Sequence, residues 1–279
     1  MIITCWGSRG SIPVSGPEYV AYGGDTTCIE IRSENDDIII VDAGSGIRRA
    51  GNGLVSENRP HLHLILTHAH WDHLIGFPFF KPIYRSGTHI DLYGCTFAQR
   101  SVRNIIAKQM RPPYFPVNYD DISAEITYHG SCEDTFSIGP VHITPIHLSH
   151  PNNAIGFRFT ERGASFVFLT DNELTYHHPG GLDFTAYRSF SEGVDLLIHD
   201  AEFTAEEYAR TKGWGHSVYT DALNLALEAG VRRFGLFHHN QDRTDEALDR
   251  MVDDCRKIVG ERGAQLDVFA AGQGVELKM

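Results

Sequence analysis

Three imidazoles and a carboxylate lie within six residues: His68, His70, Asp72 and His73, in Thr67-His68-Ala69-His70-Trp71-Asp72-His73. Imidazole nitrogen with carboxylate oxygen is a donor set for zinc, manganese or iron. Alternate spacing puts His68 and His70 on one side of an extended turn. Asp72 and His73 then face a second metal as the chain turns into a helix. The competing reading is a surface histidine cluster with Trp71 as a core anchor. The metal reading outweighs it, because histidines seldom gather directly after a buried strand without a metal to ligate.

A metal site must be held by rigid elements, and the chain supplies them. Apolar, β-branched-rich runs predict buried strands at Ile38–Val41, Leu62–Leu66, Val141–Ile146, Phe157–Phe159, Phe166–Leu169, Leu196–Ile198 and Phe234–Phe237. Most of these runs end in His or Asp. Asp42, His68, Asp171, His199-Asp200 and His238-His239 stand at or just past strand ends, and the run ending at Ile146 leads to His147 and His150. One strand-end carboxylate is an ordinary turn residue. Repetition along the chain predicts that the strand ends converge on one rim. Thr244 with Asp245 and Glu246 predicts a helix start, and Leu248, Met251, Val252, Cys255 and Val259 form its apolar face. A second helix is predicted from Ser217 or Thr220 to Ala229, stopped by Gly230. Arg100–Asp121 has a short helical stretch, then Pro112-Pro113-Tyr114-Phe115-Pro116, where the prolines forbid a regular element. A packed surface loop and a lid over a site are both open for it.

Composition narrows the class. The chain has 279 residues, 42% hydrophobic and 22% charged, which is ordinary for a globular domain. Its net charge of −12 argues against a general nucleic-acid or anionic-membrane binder. No apolar run approaches 18 residues, and Met1–Gly10 lacks the pattern of a signal peptide. Five scattered cysteines without a CxxC predict reduced thiols and a cytoplasmic protein.

The HxHxDH motif, with its flanking strand and turn, resembles the metallo-β-lactamase-fold hydrolases, over essentially the whole chain. The resemblance implies an α+β chain, one domain over 1–279, built as a four-layer αβ/βα sandwich with its metal site at the sheet-edge rim. It implies two divalent metals, zinc by default with manganese or iron also compatible. His68, His70 and His150 would hold the first, and Asp72, His73 and His238 the second, with Asp171 bridging. His150 is preferred to His147 because it stands six residues before Gly156-Phe157-Arg158, as in the phosphodiesterase branch. His238 is preferred to His239 because it directly follows the strand. Asp42 matches a supporting strand-end Asp, although a turn-capping role is equally compatible with its position before Gly44.

Two further motifs, His199-Asp200-Ala201-Glu202-Phe203 and Gly215-His216-Ser217, resemble the paired motifs of that branch, which includes RNase Z. The resemblance implies that Asp200 orients His216 and that His216 is the general acid. Glu202 is expected to be exposed or locally paired. A structural capping role is the alternative for His216. The implied reaction is hydrolysis of a small cyclic nucleotide or cyclic phosphate by a hydroxide held between the metals, with Asp72 in the catalytic set. RNase Z itself typically has a long tRNA-binding arm between the third His and the bridging Asp, and only 20 residues separate His150 from Asp171 here. The stretches Trp6–Pro13 and Tyr22–Cys28 resemble small-substrate bacterial members, though Asp25-Thr26 stands where many have Asn-Thr. The expected partner is a small phosphodiester, with no membrane and no stable nucleic-acid partner. Relatives are commonly dimers, so a homodimer with Pro112–Pro116 serving the partner's site is an expectation by resemblance. An RNA 3′ endonuclease, a lactonase or thioesterase of the same fold, and a non-enzymatic binding module are the alternatives.

Overall fold

The computed structural model describes residues 1–95, 101–130 and 134–279. Two seven-stranded sheets face each other. The first holds β1 (Ile2–Gly7), β2 (Cys28–Arg32), β3 (Ile38–Val41), β4 (His61–Leu66), β5 (His89–Gly94) and β6 (Glu125–His129), in that order across the sheet. The second runs from β7 (Phe136–Ile138) through β8 (Val141–Leu148), β9 (Ala154–Glu161), β10 (Ala164–Leu169), β11 (Leu196–Asp200) and β12 (Arg233–Phe237) to β13 (Asp267–Ala270). The last strand, β14 (Glu276–Lys278), returns to the first sheet beside β1.

The apolar alternation of the strands explains the layers. Ile39, Val41 and Ile65 of the first sheet meet Phe157, Phe159, Phe166, Phe168 and Ile198 of the second in one buried cluster between the sheets. The alternate residues Ile38, Ile40, Leu62 and Leu64 face outward onto α1 (Ile47–Ser56), with Leu74 of the short α2 (Trp71–Leu74) and with α3 (Val102–Gln109). On the far side, Val167, Leu169, Leu197 and Phe234 pack against α4 (Phe184–Phe190), α6 (Tyr219–Glu228) and α7 (Asp245–Glu261). The helix α5 (Ala205–Thr211) lies beyond this core, capped by Thr204. The result is the four-layer α+β sandwich expected from the sequence. Burying both faces of each sheet makes its strands nearly continuous apolar runs, which is why they stood out.

Two parallel sets position the chemistry. β3 to β6 run parallel, and so do β10 to β13. Parallel strands end on one side, so the residues after β3, β4, β10, β11 and β12 share a rim. Between His150 and Asp171 the chain forms only the β9–β10 hairpin, turning at Arg162 and Gly163 with φ of 48° and 88°. That hairpin leaves no length for a protruding arm.

The structure bears on several sequence expectations. The second helix, α6, starts at Tyr219, between the two predicted starts, with Val218 at its N-cap; the Ser217 hydroxyl donates to the Asn172 carbonyl and accepts from Leu174 N. The short helical stretch expected at the start of Arg100–Asp121 is α3, whose Val102 and Ile106 are buried in the core; after it, Phe115 packs edge-on against Phe79 with Tyr114 exposed. Residue 100 lies outside the described residues. Cys5, Cys28 and Cys255 are free and buried, but Cys95 is disulfide-bonded. The expectation of five reduced thiols therefore fails, and with it the cysteine pattern as support for a reducing compartment. Spacing along the chain could not show a pairing made through tertiary approach. No helix among the described residues is long and apolar enough to cross a membrane.

Candidate metal centre

The rim is built by a repeated device. Asp42, Asp171 and His238 each follow a strand in the left-handed region, with φ of 66°, 58° and 57°. That conformation is costly for residues other than glycine and persists only where the surroundings enforce it. It turns Asp171 and His238 from the strand direction toward a common centre, and Asp42 onto the back of His73.

The histidines are aimed by the nitrogen that does not face the centre. Asp42 accepts hydrogen bonds from Thr67 N and Thr67 Oγ1, at 2.8 and 2.7 Å, and its Oδ2 lies 2.8 Å from His73 Nδ1. His73 Nε2 then lies 3.2 Å from Asp171 and 3.3 Å from Asp72. His150 Nδ1 donates to the Gly215 carbonyl at 2.8 Å, leaving Nε2 3.0 Å from His70 Nδ1 and 3.7 Å from Asp171 Oδ2. His238 Nε2 lies 3.1 Å from Asp72 Oδ2 and 3.4 Å from Asp171 Oδ2. His68 Nε2 is 3.4 Å from Asp171 Oδ2.

Two groups of donors result. One is His68, His70, His150 and Asp171; the other is Asp72, His73, Asp171 and His238. Within each, one donor atom per residue lies within 4.8 Å of the rest. Asp171 belongs to both. The donor set fits a divalent cation by an independent sign: His68 Nε2 and His73 Nε2 are buried and have no hydrogen-bond partner. Orphaned buried nitrogens are costly unless something takes their lone pairs. All seven residues singled out by the sequence as ligands therefore converge.

The two groups differ electrically. Burial pushes the His150 imidazole well down, and His70 is pushed to about 4 by burial and by the neighbouring His68. Burial lowers His73 and His238 too, but the carboxylates around them outweigh it and hold both well above the ordinary value. Burial raises Asp171 and Asp72, and the facing imidazoles then hold both far below the carboxylate range. His70 and His150 are thus held low, whereas His73 and His238 are held high by the carboxylates they face.

A third group, Asp171, Asp200, His216 and His238, meets the same 4.8 Å distance and shares Asp171 and His238 with the other two. His216 Nδ1 lies 2.7 Å from Asp200 Oδ2, and its ring stacks on His238 with centroids 4.5 Å apart. Asp200 also accepts from the backbone N–H groups of Asn172, Glu202 and Ser217, so it is fixed before it meets the imidazole. Burial lowers the His216 pKa, while Glu202 and Asp200 raise it more, to about 9.

The structure corrects the expectation for Glu202 and adds residues the sequence did not point to. Glu202 is buried, and its Oε2 lies 2.9 Å from His238 Nδ1 while Asn240 donates to its other oxygen. Asp200 and Glu202 alternate along an extended stretch, so both face the rim; that spacing was the available signal. Glu173, fully buried, accepts from Gly213 N and Gly215 N at 2.7 Å and from Tyr208 at 2.6 Å, which shapes the loop that carries His216. Gly215 has φ of 98°, and a Cβ there would stand 2.2 Å from His150 Nδ1. Gly10 is equally close, 2.3 Å from the His238 ring by the same measure, and Ser11 N donates to Asp72 Oδ2 at 3.0 Å. His239 is outside the donor groups: its Nε2 donates to Ala271 O, and burial pushes it to about 3. His147 is also outside them, half-buried on β8.

Comparison with known proteins agrees with this architecture. The ribonuclease Z of Haloarcula marismortui is 22% identical, over 92% of this chain and 91% of that protein. The solved metallo-beta-lactamase fold protein YhfI from Bacillus subtilis superposes with a TM-score of 0.72 at 18% identity, covering 99% and 98% of the two chains. A diphosphatase from the PhnP family superposes with a TM-score of 0.69 at 16% identity, covering 100% and 97%. The beta-lactamase superfamily domain matches residues 37–239, which span β3 to β12 and every convergent ligand from His68 to His238. The chain thus belongs to the beta-lactamase superfamily and carries the metallo-β-lactamase fold.

Proposed function

We propose that this protein is a metal-dependent phosphodiesterase that opens a small cyclic nucleotide or cyclic phosphate. The observation that carries the reading is the His216–Asp200 pair beside the two donor groups. Metal ligands alone would serve many hydrolases of this fold. A carboxylate-fixed imidazole beside them supplies what an alkoxide leaving group needs, a proton at the right place.

His68, His70 and His150 would hold one ion, Asp72, His73 and His238 the other, and Asp171 both; zinc is the proposed ion. Bound there, a divalent pair supplies Lewis acidity toward water and a phosphoryl oxygen. The protein's own residues do the rest. Asp200 keeps the proton on His216 Nδ1 and fixes the ring, so Nε2 faces the substrate. With Nδ1 held by Asp200, the imidazolium gives its Nε2 proton to the departing ribose oxygen, and Asp200 and Glu202 favour reloading of Nε2 from solvent.

A groove opening on His216 is lined by Ser11, Phe203, Arg210, Trp214, Asn240 and Gln241. Trp214 is exposed and offers a stacking face to a base, with Arg210 as a cation for an anionic group. The short β9–β10 hairpin and the net charge of −12 support a small substrate over a tRNA. The names of the relatives, ribonuclease Z and a diphosphatase, support phosphate-ester chemistry.

The test is incubation of metal-replete protein with 3′,5′-cyclic AMP and 2′,3′-cyclic AMP, with and without chelator, resolving the products. Chelator-sensitive opening to a nucleoside monophosphate is expected. No turnover of either, with hydrolysis of RNA 3′ ends or lactones instead, would overturn the cyclic-phosphate reading.

A further inference from the structure

The first sheet carries a second gathering of imidazoles, running along its parallel strands from His61 and His89 at the starts of β4 and β5 to His129, the last residue of β6. Parallel pairing sets His61 opposite His89 and His89 opposite Glu125; two residues on, His63 stands opposite Asp91, and two further on, Tyr93 stands opposite His129. Steps of two along a strand return to the same face. These side chains therefore share one face of three adjacent strands. His61 and His68 bracket β4, so at about 3.3 Å per residue the two lie roughly 20 Å apart.

Everything in this cluster turns on Asp91. Its Oδ2 lies 2.7 Å from His61 Nε2 and 3.7 Å from His63 Nδ1; its Oδ1 lies 2.7 Å from His129 Nε2 and 3.5 Å from His89 Nε2. One donor atom each from His61, His89 and Asp91 lies within 4.8 Å of the others. His89 Nδ1, the nitrogen turned away, is 3.7 Å from the exposed Glu125 carboxylate, an ion-pair distance longer than a hydrogen bond. The His129 ring is held by stacking on Tyr93, with centroids 4.6 Å apart. His63 Nδ1 is buried with no hydrogen-bond partner. Four imidazoles around one carboxylate are more donors than a single negative charge can satisfy as an ion pair. The set is the nitrogen-and-oxygen mixture that borderline cations select.

We infer that His61, His89 and Asp91, with His129 and His63 beside them, form a divalent transition-metal site separate from the rim. The ion takes the lone pairs of His61 Nε2, His89 Nε2 and the Asp91 carboxylate; any proton now shared between these groups is released to solvent. His129, 2.7 Å from the Asp91 oxygen that does not face His61, lies outside this donor group and holds the carboxylate from the third strand. The site joins the start of β4 to β5, with β6 held through His129 on Asp91, and its role is structural.

The probe is zinc, and the readout is the number of ions per chain, so the outcome does not depend on the proposed activity. Full-length protein is equilibrated with micromolar zinc, desalted and measured by elemental mass spectrometry. The wild type is compared with the H61N/H89N double variant and, separately, with Asp91→Asn. His61 and His89 are exposed enough for the double variant to fold, which circular dichroism checks. The expected result is one zinc fewer in both variants, at least about a tenfold weaker affinity for that equivalent, and loss of part of the zinc-dependent rise in Tm. Equal zinc content in the wild type and both variants, or an extra equivalent that fills only at millimolar zinc, overturns the inference.

Discussion

His238 Nδ1 stands 2.9 Å from Glu202 Oε2 in the protein interior, so the imidazole presents Nε2 to Asp72 and Asp171. A buried carboxylate behind a ligand nitrogen fixes the tautomer and raises the basicity of the facing nitrogen. Replacing Glu202 by Gln is expected to weaken binding of one ion about 10- to 100-fold while leaving the His68–His70–His150 ion in place. Competition against a chelator of known affinity measures this. Unchanged affinity for both ions would remove the orienting role.

His216 is not among the ligands of either donor group, yet it stacks on one of them. His216→Ala is expected to lower turnover about 10²- to 10⁴-fold, the usual worth of a positioned general acid, with metal content nearly unchanged. Loss of an ion from this variant would make His216 a ligand and end its assignment as proton donor.

Asp171 contributes to both groups, so its removal should be felt by both. Asp171→Ala is expected to lower occupancy at both rim positions and abolish turnover. If elemental analysis finds both positions filled as in the wild type, the bridging role is wrong.

Gly10 has no side chain where the His238 ring passes, and its N–H is tied to the His239 carbonyl at 2.9 Å. The backbone cannot retreat, so Gly10→Ala must displace His238. Reduced affinity at the Asp72–His73–His238 position is expected, with the fold retained. Wild-type metal binding by this variant would show that the loop gives way more easily than the structure implies.

Glu173 accepts two backbone N–H groups in the interior. Glu173→Ala orphans both, at about 1–3 kcal/mol each. A lower denaturant midpoint is expected, together with reduced turnover, because the Gly213–Gly215 turn is what presents His216. A loss of stability with unchanged turnover would show that the turn keeps its shape without Glu173.

The reasons some of this was readable from the sequence alone are local. His68 to His73 lie within one turn and a short helix, so their spacing carried the geometry directly. Strand-end Asp and His residues could be seen because buried parallel strands are short apolar runs with abrupt ends. Assigning His150, Asp171 and His238 to particular ions needed resemblance to a family, since nothing local ties them to His68. The rest was decided by approach in three dimensions. Glu202 and His238 are 36 residues apart and Asp72 and His238 are 166 apart; they meet because parallel strands of two sheets end on one rim. Glu202 was misjudged because a carboxylate in a loop reads as solvated until its partner is known. The imidazoles around Asp91 were invisible for the same reason. Each is an unremarkable strand residue, and only the register of β4, β5 and β6, which depends on the packed core, brings them onto one face.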